Sequence, residues 1–156
     1  MSRNQGDKGI LLYLHGIAAG RDTYKDSTGA TVTAQQLAVT YVAGESFYVG
    51  AADALLAAVK NVFAGGTTKI TVKAEMKRRD ENNPTIFGWM PFQTVRSDTG
   101  VQDFQHEFLA ADPLVVAGVL EIALQTTGHR LGGEFRISAK ADVLADGSKC
   151  IVGVNV

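Results

Sequence analysis

The sequence predicts a mainly-β protein, an antiparallel, jelly-roll-like β-sandwich with one α-helix at about residues 51–64. Two long alternating runs and a regular series of turn signals predict the sheets. In the first run Ile70, Val72, Ala74 and Met76 alternate with Thr71, Lys73, Glu75 and Lys77. In the second, Phe135, Ile137, Ala139, Ala141 and Val143 alternate with Glu134, Arg136, Ser138, Lys140 and Asp142. A strand turns successive side chains to opposite faces, so each run buries one face and wets the other. That pattern belongs to antiparallel sheets with one solvated side.

Taken in order, Ile10–His15 is a short apolar run that reads as a strand buried on both faces. Residues 1–30 are either a folded strand pair or an extended N-terminal arm, with a polar, turn-rich loop from Arg21 to Gly29. Thr31–Val42 is rich in β-branched residues and reads as a strand region, and Glu45–Val49 adds a short strand. Ala51–Ala64 breaks the β pattern. Its alanines and leucines are strong helix formers, and Gly65-Gly66 supplies a helix stop. Asn82-Asn83-Pro84 turns the chain between strands at 69–78 and 85–95, and Ser97-Asp98-Thr99-Gly100 turns it again before 101–110. Strands follow within 114–127, 134–144 and 149–156, and Asp146-Gly147 predicts a hairpin joining the last two. Residues 1–156 form a single domain in this reading.

Composition excludes several classes. A hydrophobic share of 46% and a charged share of 20% are those of a folded globular chain. A net charge of -1 gives no electrostatic footprint for nucleic acid or an anionic membrane. The segment Met1–Lys8 lacks the apolar core of a signal peptide, so synthesis in a cytoplasm is expected. No stretch approaches the ~20 apolar residues that span a bilayer. Cys150 is the only cysteine, and its apolar neighbours predict a buried, inert thiol.

The chemistry-bearing residues do not assemble into a motif. Leu12-Tyr13-Leu14-His15-Gly16 resembles the oxyanion-loop entry of α/β-hydrolases, and Ser46 follows a strand-like segment. The nucleophile elbow needs glycine two positions after the serine, and Tyr48 stands there. A small serine esterase using Ser46 and His129 is therefore the third reading. His15, His106 and His129 lack metal spacing, and His106 shares a parity with Phe104 and Phe108. Asp98, Asp103, Glu107 and Asp112 offer oxygen ligands but match no calcium loop. Neither a catalytic set nor a metal or other cofactor is expected. The one candidate contact or stacking patch is Phe87, Trp89, Met90 and Phe92, which places apolar groups at both parities of one strand.

The order KITVKAEMK, TIFGWMPFQTV, VQDFQHEFLAAD, VLEIALQTTG, GGEFRISAKADVL resembles the jelly-roll sandwiches of carbohydrate-binding modules. The same sandwich recurs in tailed-bacteriophage virion proteins of the capsid decoration, cement or fibre type. The resemblance covers about half of the chain, and the helix at Ala51–Ala64 is not part of its pattern. The leading expectation is a non-enzymatic structural subunit of a virion, made in a host cytoplasm and binding copies of itself and another virion protein. The alternative is a carbohydrate-binding or adhesin module, with Trp89 or Phe92 stacking on a glycan.

Overall fold

The computed structural model describes residues 7–16, 22–26, 28–49, 55–79, 83, 85, 87–91, 93–96, 100–103, 105–126 and 133–155. These residues carry fifteen strands and no helix: β1 (Asp7–His15), β2 (Thr23–Lys25), β3 (Thr31–Thr33), β4 (Gln35–Gln36), β5 (Val42–Ala43), β6 (Phe47–Val49), β7 (Leu55–Val62), β8 (Lys69–Arg79), β9 (Phe87–Pro91), β10 (Gln93–Arg96), β11 (Gly100–Asp103), β12 (Gln105–Leu109), β13 (Val119–Thr126), β14 (Gly133–Ala141) and β15 (Lys149–Asn155). A five-stranded sheet runs β13-β7-β15-β1-β4. A six-stranded sheet runs β12-β8-β14-β5, with β6 also on β14 and β9 also on β8. Short ribbons β2-β3 and β10-β11 complete the set. All named pairings are antiparallel except the two-residue contact of β1 with β4.

The two main sheets share one core. Leu12, Leu14, Ala57, Val59, Leu120, Cys150 and Val152 come from the five-stranded sheet. Phe47, Val49, Ile70, Val72, Ala74, Phe108, Phe135, Ile137, Ala139 and Ala141 meet them from the six-stranded sheet. The alternation of β8 and β14 is therefore resolved as the sequence predicts, with the aliphatic set inside. Burial of the Cys150 thiol pushes its pKa up to about 12, so it stays protonated and unreactive.

The strip carrying β5 and β6 ties the sheets together. The Gly44 amide donates to the Ile137 carbonyl at 2.8 Å, and the Glu45 amide donates to the Leu11 carbonyl at 3.0 Å. That carbonyl comes from a register shift in β1 between Ile10 and Leu12. A Cβ on residue 44 would lie 2.3 Å from the Leu11 oxygen, so only glycine lets the strip approach this closely.

The expected helix is not there. Ala51–Ala54 lie outside the described residues, and Leu55–Val62 is β7, paired along one edge by β13 and along the other by β15. Helix propensity separates these residue types by only tenths of a kcal/mol each, about 0–0.7, and two flanking strands override it. The period-two signal was present. Ala57, Val59 and Asn61 are buried while Ala58 and Lys60 are exposed. Gly65-Gly66 closes a turn in which the Thr67 amide donates to the Ala64 carbonyl at 3.1 Å, rather than capping a helix.

The expected hairpin at Asp146-Gly147 is also corrected. A turn forms, with Gly147 at φ 88° and the Ser148 amide donating to the Ala145 carbonyl at 3.2 Å. Yet β14 belongs to the six-stranded sheet and β15 to the five-stranded one, so the turn crosses the sandwich. Ser148 anchors the crossing. Its buried hydroxyl is shared with Thr67 Oγ1 at 2.8 Å, the Ala64 carbonyl at 3.2 Å and the Ala64 amide at 3.1 Å.

Asn61 is the odd residue of the core. It is fully buried between Leu120 and Cys150, and neither its Oδ1 nor its Nδ2 has a partner among the described residues. An unmatched buried amide costs about 1–3 kcal/mol. Asn61→Leu, which keeps the branched shape and the number of side-chain heavy atoms, is expected to raise the unfolding free energy by about 1–2 kcal/mol in urea titrations. A lowered midpoint would show instead that the amide is satisfied in solution.

Candidate functional site

The outward face of the six-stranded sheet is where the polar halves of the alternating runs collect. Along β8 it presents Lys69, Thr71, Lys73, Glu75 and Lys77, and along β14 Glu134, Arg136, Ser138 and Lys140. The register sets Arg136 opposite Glu75, Ser138 opposite Lys73 and Lys140 opposite Thr71. On the far side of β8, Glu107 of β12 stands opposite Thr71, and Trp89 of β9 opposite Lys77.

Glu75 organises this face. Its side chain is only 9% exposed, and its Oε1 lies 2.9 Å from Arg136 Nε. Lys73 Nζ lies 3.7 Å from Oε2, and Ser138 Oγ lies 3.4 Å from Oε1. Each cation also carries an aromatic ring. The Arg136 guanidinium is 4.6 Å from the centre of the Trp89 ring, and Lys73 Nζ is 4.1 Å from the centre of the Tyr41 ring. One nearly buried carboxylate thus fixes two cations, and each cation backs one aromatic ring. Cation–π contacts of this kind contribute about 0.5–2 kcal/mol and hold the plane of a ring in a chosen orientation.

Further groups extend the two ends. Lys77 approaches Trp89 at 5.9 Å and pairs with Glu134 at 3.9 Å. Tyr48, opposite Glu134, is 73% exposed. At the other end Lys140 Nζ is 4.8 Å from the Tyr41 ring. Burial, with the nearby Glu107 and Glu75 carboxylates, pushes the Tyr41 phenol up, so it remains a neutral hydrogen-bonding group. Beyond Lys140 a cleft of about 240 Å³ opens between Thr71, Gln105, Glu107 and Asp142. Burial would raise the Asp142 pKa, but donors from the Thr68 hydroxyl and the amides of Lys69, Thr68 and Val143 outweigh it and hold the pKa at about 2.

The structure divides the patch expected at 87–92. Trp89 lies on the outward face with Lys77, and Phe87, 60% exposed, has the same parity. Met90 stands opposite Met76, which packs against the core, so it belongs to the inner side. Phe92 lies outside the described residues. Sequence reasoning missed Tyr41 and Tyr48. Tyr48 was legible as the outward member of Phe47-Tyr48-Val49, whose outer two are buried. Tyr41 precedes a two-residue strand and carried no local signal.

The other sites considered from the sequence stay apart. Ser46 is exposed ahead of β6, whereas His15 is buried at the end of β1 with Nδ1 2.7 Å from the Gly16 carbonyl oxygen. His129 and Asp98 lie outside the described residues. Glu107 pairs with Lys69 at 3.5 Å, and Asp112 Oδ1 accepts the Leu114 amide at 2.9 Å. Among the described residues no three His, Cys, Asp or Glu side chains are grouped to hold a metal ion. A larger hollow of about 500 Å³ lies on the five-stranded sheet, lined by Ala58, Ile122, Ile151 and Gly153 beside the Lys60–Glu121 pair. Its polar side chains are Lys60 and Glu121, which are paired with each other, and the rest of its lining is apolar or glycine.

No protein-family model matches the chain, and no curated protein sequence matches it. Among solved structures it is similar to the carbohydrate binding module CBM6cm-2 of Cellvibrio mixtus lichenase 5A in complex with cellotriose, at 11% identity and a TM-score of 0.40, over 95% of this chain and 98% of that one. It is similar to the CBM22-1 xylan-binding domain of Paenibacillus barcinonensis Xyn10C at 11% identity and a TM-score of 0.35, over 96% and 94%. A Family 16 Carbohydrate Binding Module-2 superposes at 8% identity and a TM-score of 0.32, over 78% and 72%. Such loose superpositions leave the functional reading to the residues of the sheet face.

Proposed function

We propose that the protein is a non-catalytic carbohydrate-binding module whose ligand lies across the outward face of the six-stranded sheet. The observation that carries this reading is the pair of rings, Trp89 and Tyr41, each backed by a cation that Glu75 holds. Sugars present apolar ring faces and a rim of hydroxyls. A flat aromatic surface set among fixed donors and acceptors matches both features. Arg136, Lys73 and Lys77 supply donors, and Glu134 supplies acceptors, between and around the rings.

Affinity electrophoresis against a panel of soluble neutral and acidic polysaccharides tests the reading. At least one polymer is expected to retard the chain, and Trp89→Ala is expected to weaken that binding up to roughly tenfold, the size of one aromatic stacking contact. Trp89 is the sole tryptophan, so its emission is expected to shift on titration with the same polymer. Retardation by no polymer, or full binding by Trp89→Ala, overturns the proposal.

Assembly is the second reading, favoured by one specific feature. The loop from β12 to β13 exposes Leu114 at 67% and Val116 at 73%, with Leu109 and Val143 also exposed. Apolar side chains of this kind suit contact with copies of the chain or another shell protein, as the virion-subunit expectation requires. Light scattering tests it. A defined trimer, hexamer or larger ring supports assembly, and a monomer at every concentration overturns self-assembly.

A further inference from the structure

We infer that the glycan bound on this face is a branched one, its main chain lying between Trp89 and Tyr41 and its side branch stacking on Tyr48. The inference rests on the carbohydrate-binding reading and adds the class of ligand. Tyr48 belongs to the same outward face, because Phe47 and Val49 on either side of it point into the core. Its ring is 73% exposed, so the fold gains little from burying it. Backbone pairing nonetheless fixes where it stands, opposite Glu134 of β14. Glu134 pairs with Lys77 at 3.9 Å, and Lys77 stands opposite Trp89. Tyr48, Glu134, Lys77 and Trp89 therefore form one row across β6, β14, β8 and β9, with a ring at each end and an acceptor and a donor between them.

The three rings of this face, Trp89, Tyr41 and Tyr48, do not lie on one line. The row places the backbones of Tyr48 and Trp89 three strand spacings apart, about 14 Å. Tyr41 is on the same side of β14 as Tyr48 but toward its other end. Its neighbour Val42 pairs with Ala139, five residues along the strand from Glu134 and so about 16 Å away. An unbranched chain stacked on Trp89 and Tyr41 passes over Arg136, Glu75 and Lys73 and leaves Tyr48 to one side. A sugar attached to that chain near Trp89 is carried along the row instead, over the Lys77–Glu134 pair. Both members of the pair are partly exposed, at 41% and 32%, so the ammonium can donate to sugar hydroxyls and the carboxylate can accept from them. Their charges offset each other, which suits a neutral branch.

Matched oligosaccharides test this by isothermal titration: cellotetraose against a xyloglucan heptasaccharide, xylotetraose against its arabinose-branched form, and mannotetraose against its galactose-branched form. Wild type is expected to bind one branched member about three- to tenfold more tightly than its linear partner, the size of one aromatic stacking contact. Tyr48→Ala is expected to remove that excess and leave the affinity for the linear partner unchanged. Tyr48→Phe, which keeps the ring, is expected to retain the excess, and Trp89→Ala is expected to weaken both members. Because Tyr48 is exposed, its truncation is expected to leave the urea midpoint in place, so a lost excess reports contact with sugar. Equal binding of branched and linear partners, binding confined to linear chains, or equal losses on both from Tyr48→Ala overturns the branched assignment and leaves carbohydrate binding standing. Binding of no oligosaccharide and no polysaccharide overturns both.

Discussion

Replacing Phe135 by alanine is expected to cost about 3–5 kcal/mol of folding free energy, as for other fully buried phenylalanines. Phe135 is 0% exposed at an inward position of β14 and stands opposite both Met76 and Phe47. Its ring stacks on that of Phe47, with centroids 6.2 Å apart and planes 26° from parallel. Three strands of the six-stranded sheet therefore converge on one side chain, and truncation leaves a hollow that paired strands cannot close. A domain of ordinary stability, about 5–15 kcal/mol, would be left marginal. Urea unfolding followed by circular dichroism measures the loss. Phe135→Leu, which keeps more of the volume, is expected to lose about 1–2 kcal/mol. A loss below about 1 kcal/mol for the alanine variant would show that the two sheets do not pack around this ring.

The second large effect is expected at Glu75, and it separates binding from stability. Glu75→Gln keeps the size of the side chain and an acceptor for Arg136 but removes the charge that holds Arg136 and Lys73 together. Both cations are about a quarter exposed, at 28% and 26%, so water can solvate them when the carboxylate is gone. The stability cost is accordingly set at about 1–2 kcal/mol, below the 3–5 kcal/mol for breaking a fully buried pair. The binding cost is larger in proportion, because one change releases the nearer cation at each ring. Polysaccharide affinity is expected to fall more than about tenfold, two stacking contacts being loosened at once. The Trp89 emission is expected to shift in the unliganded protein as its guanidinium partner moves. Unchanged emission together with unchanged affinity would show that Glu75 does not position the rings.

The candidate site was partly legible. The outward set Thr71, Lys73, Glu75 and Lys77, and its partner set Glu134, Arg136, Ser138 and Lys140, followed from alternation alone. Trp89 was singled out for its type and Phe87 for its parity with it. What alternation does not carry is register. That Arg136 falls opposite Glu75, and that Trp89 falls opposite Lys77, are decided by how three separate strands slide against one another. Tyr41 reaches Lys73 and Lys140 only because the strip at 42–49 is pinned to β14 and β1 through Gly44 and Glu45.

The sequence by itself determined the local choices: which residues of 69–77 and 134–141 face inward, where the chain turns at Asp146-Gly147, and that Cys150 is buried. Each is written in a few consecutive residues, through the period of a strand or the conformational freedom of a glycine. Only the tertiary structure decided which strands pair. It made Leu55–Val62 the strand between β13 and β15 despite its helix-forming residues, and it sent the Asp146-Gly147 turn across the sandwich instead of closing a hairpin. The physical reason is one of scale. Intrinsic preferences are worth tenths of a kcal/mol per residue, about 0–0.7, whereas burying one large side chain between two sheets is worth about 1.5–3 kcal/mol. Distant segments that complete a common core therefore overrule what any one of them prefers alone.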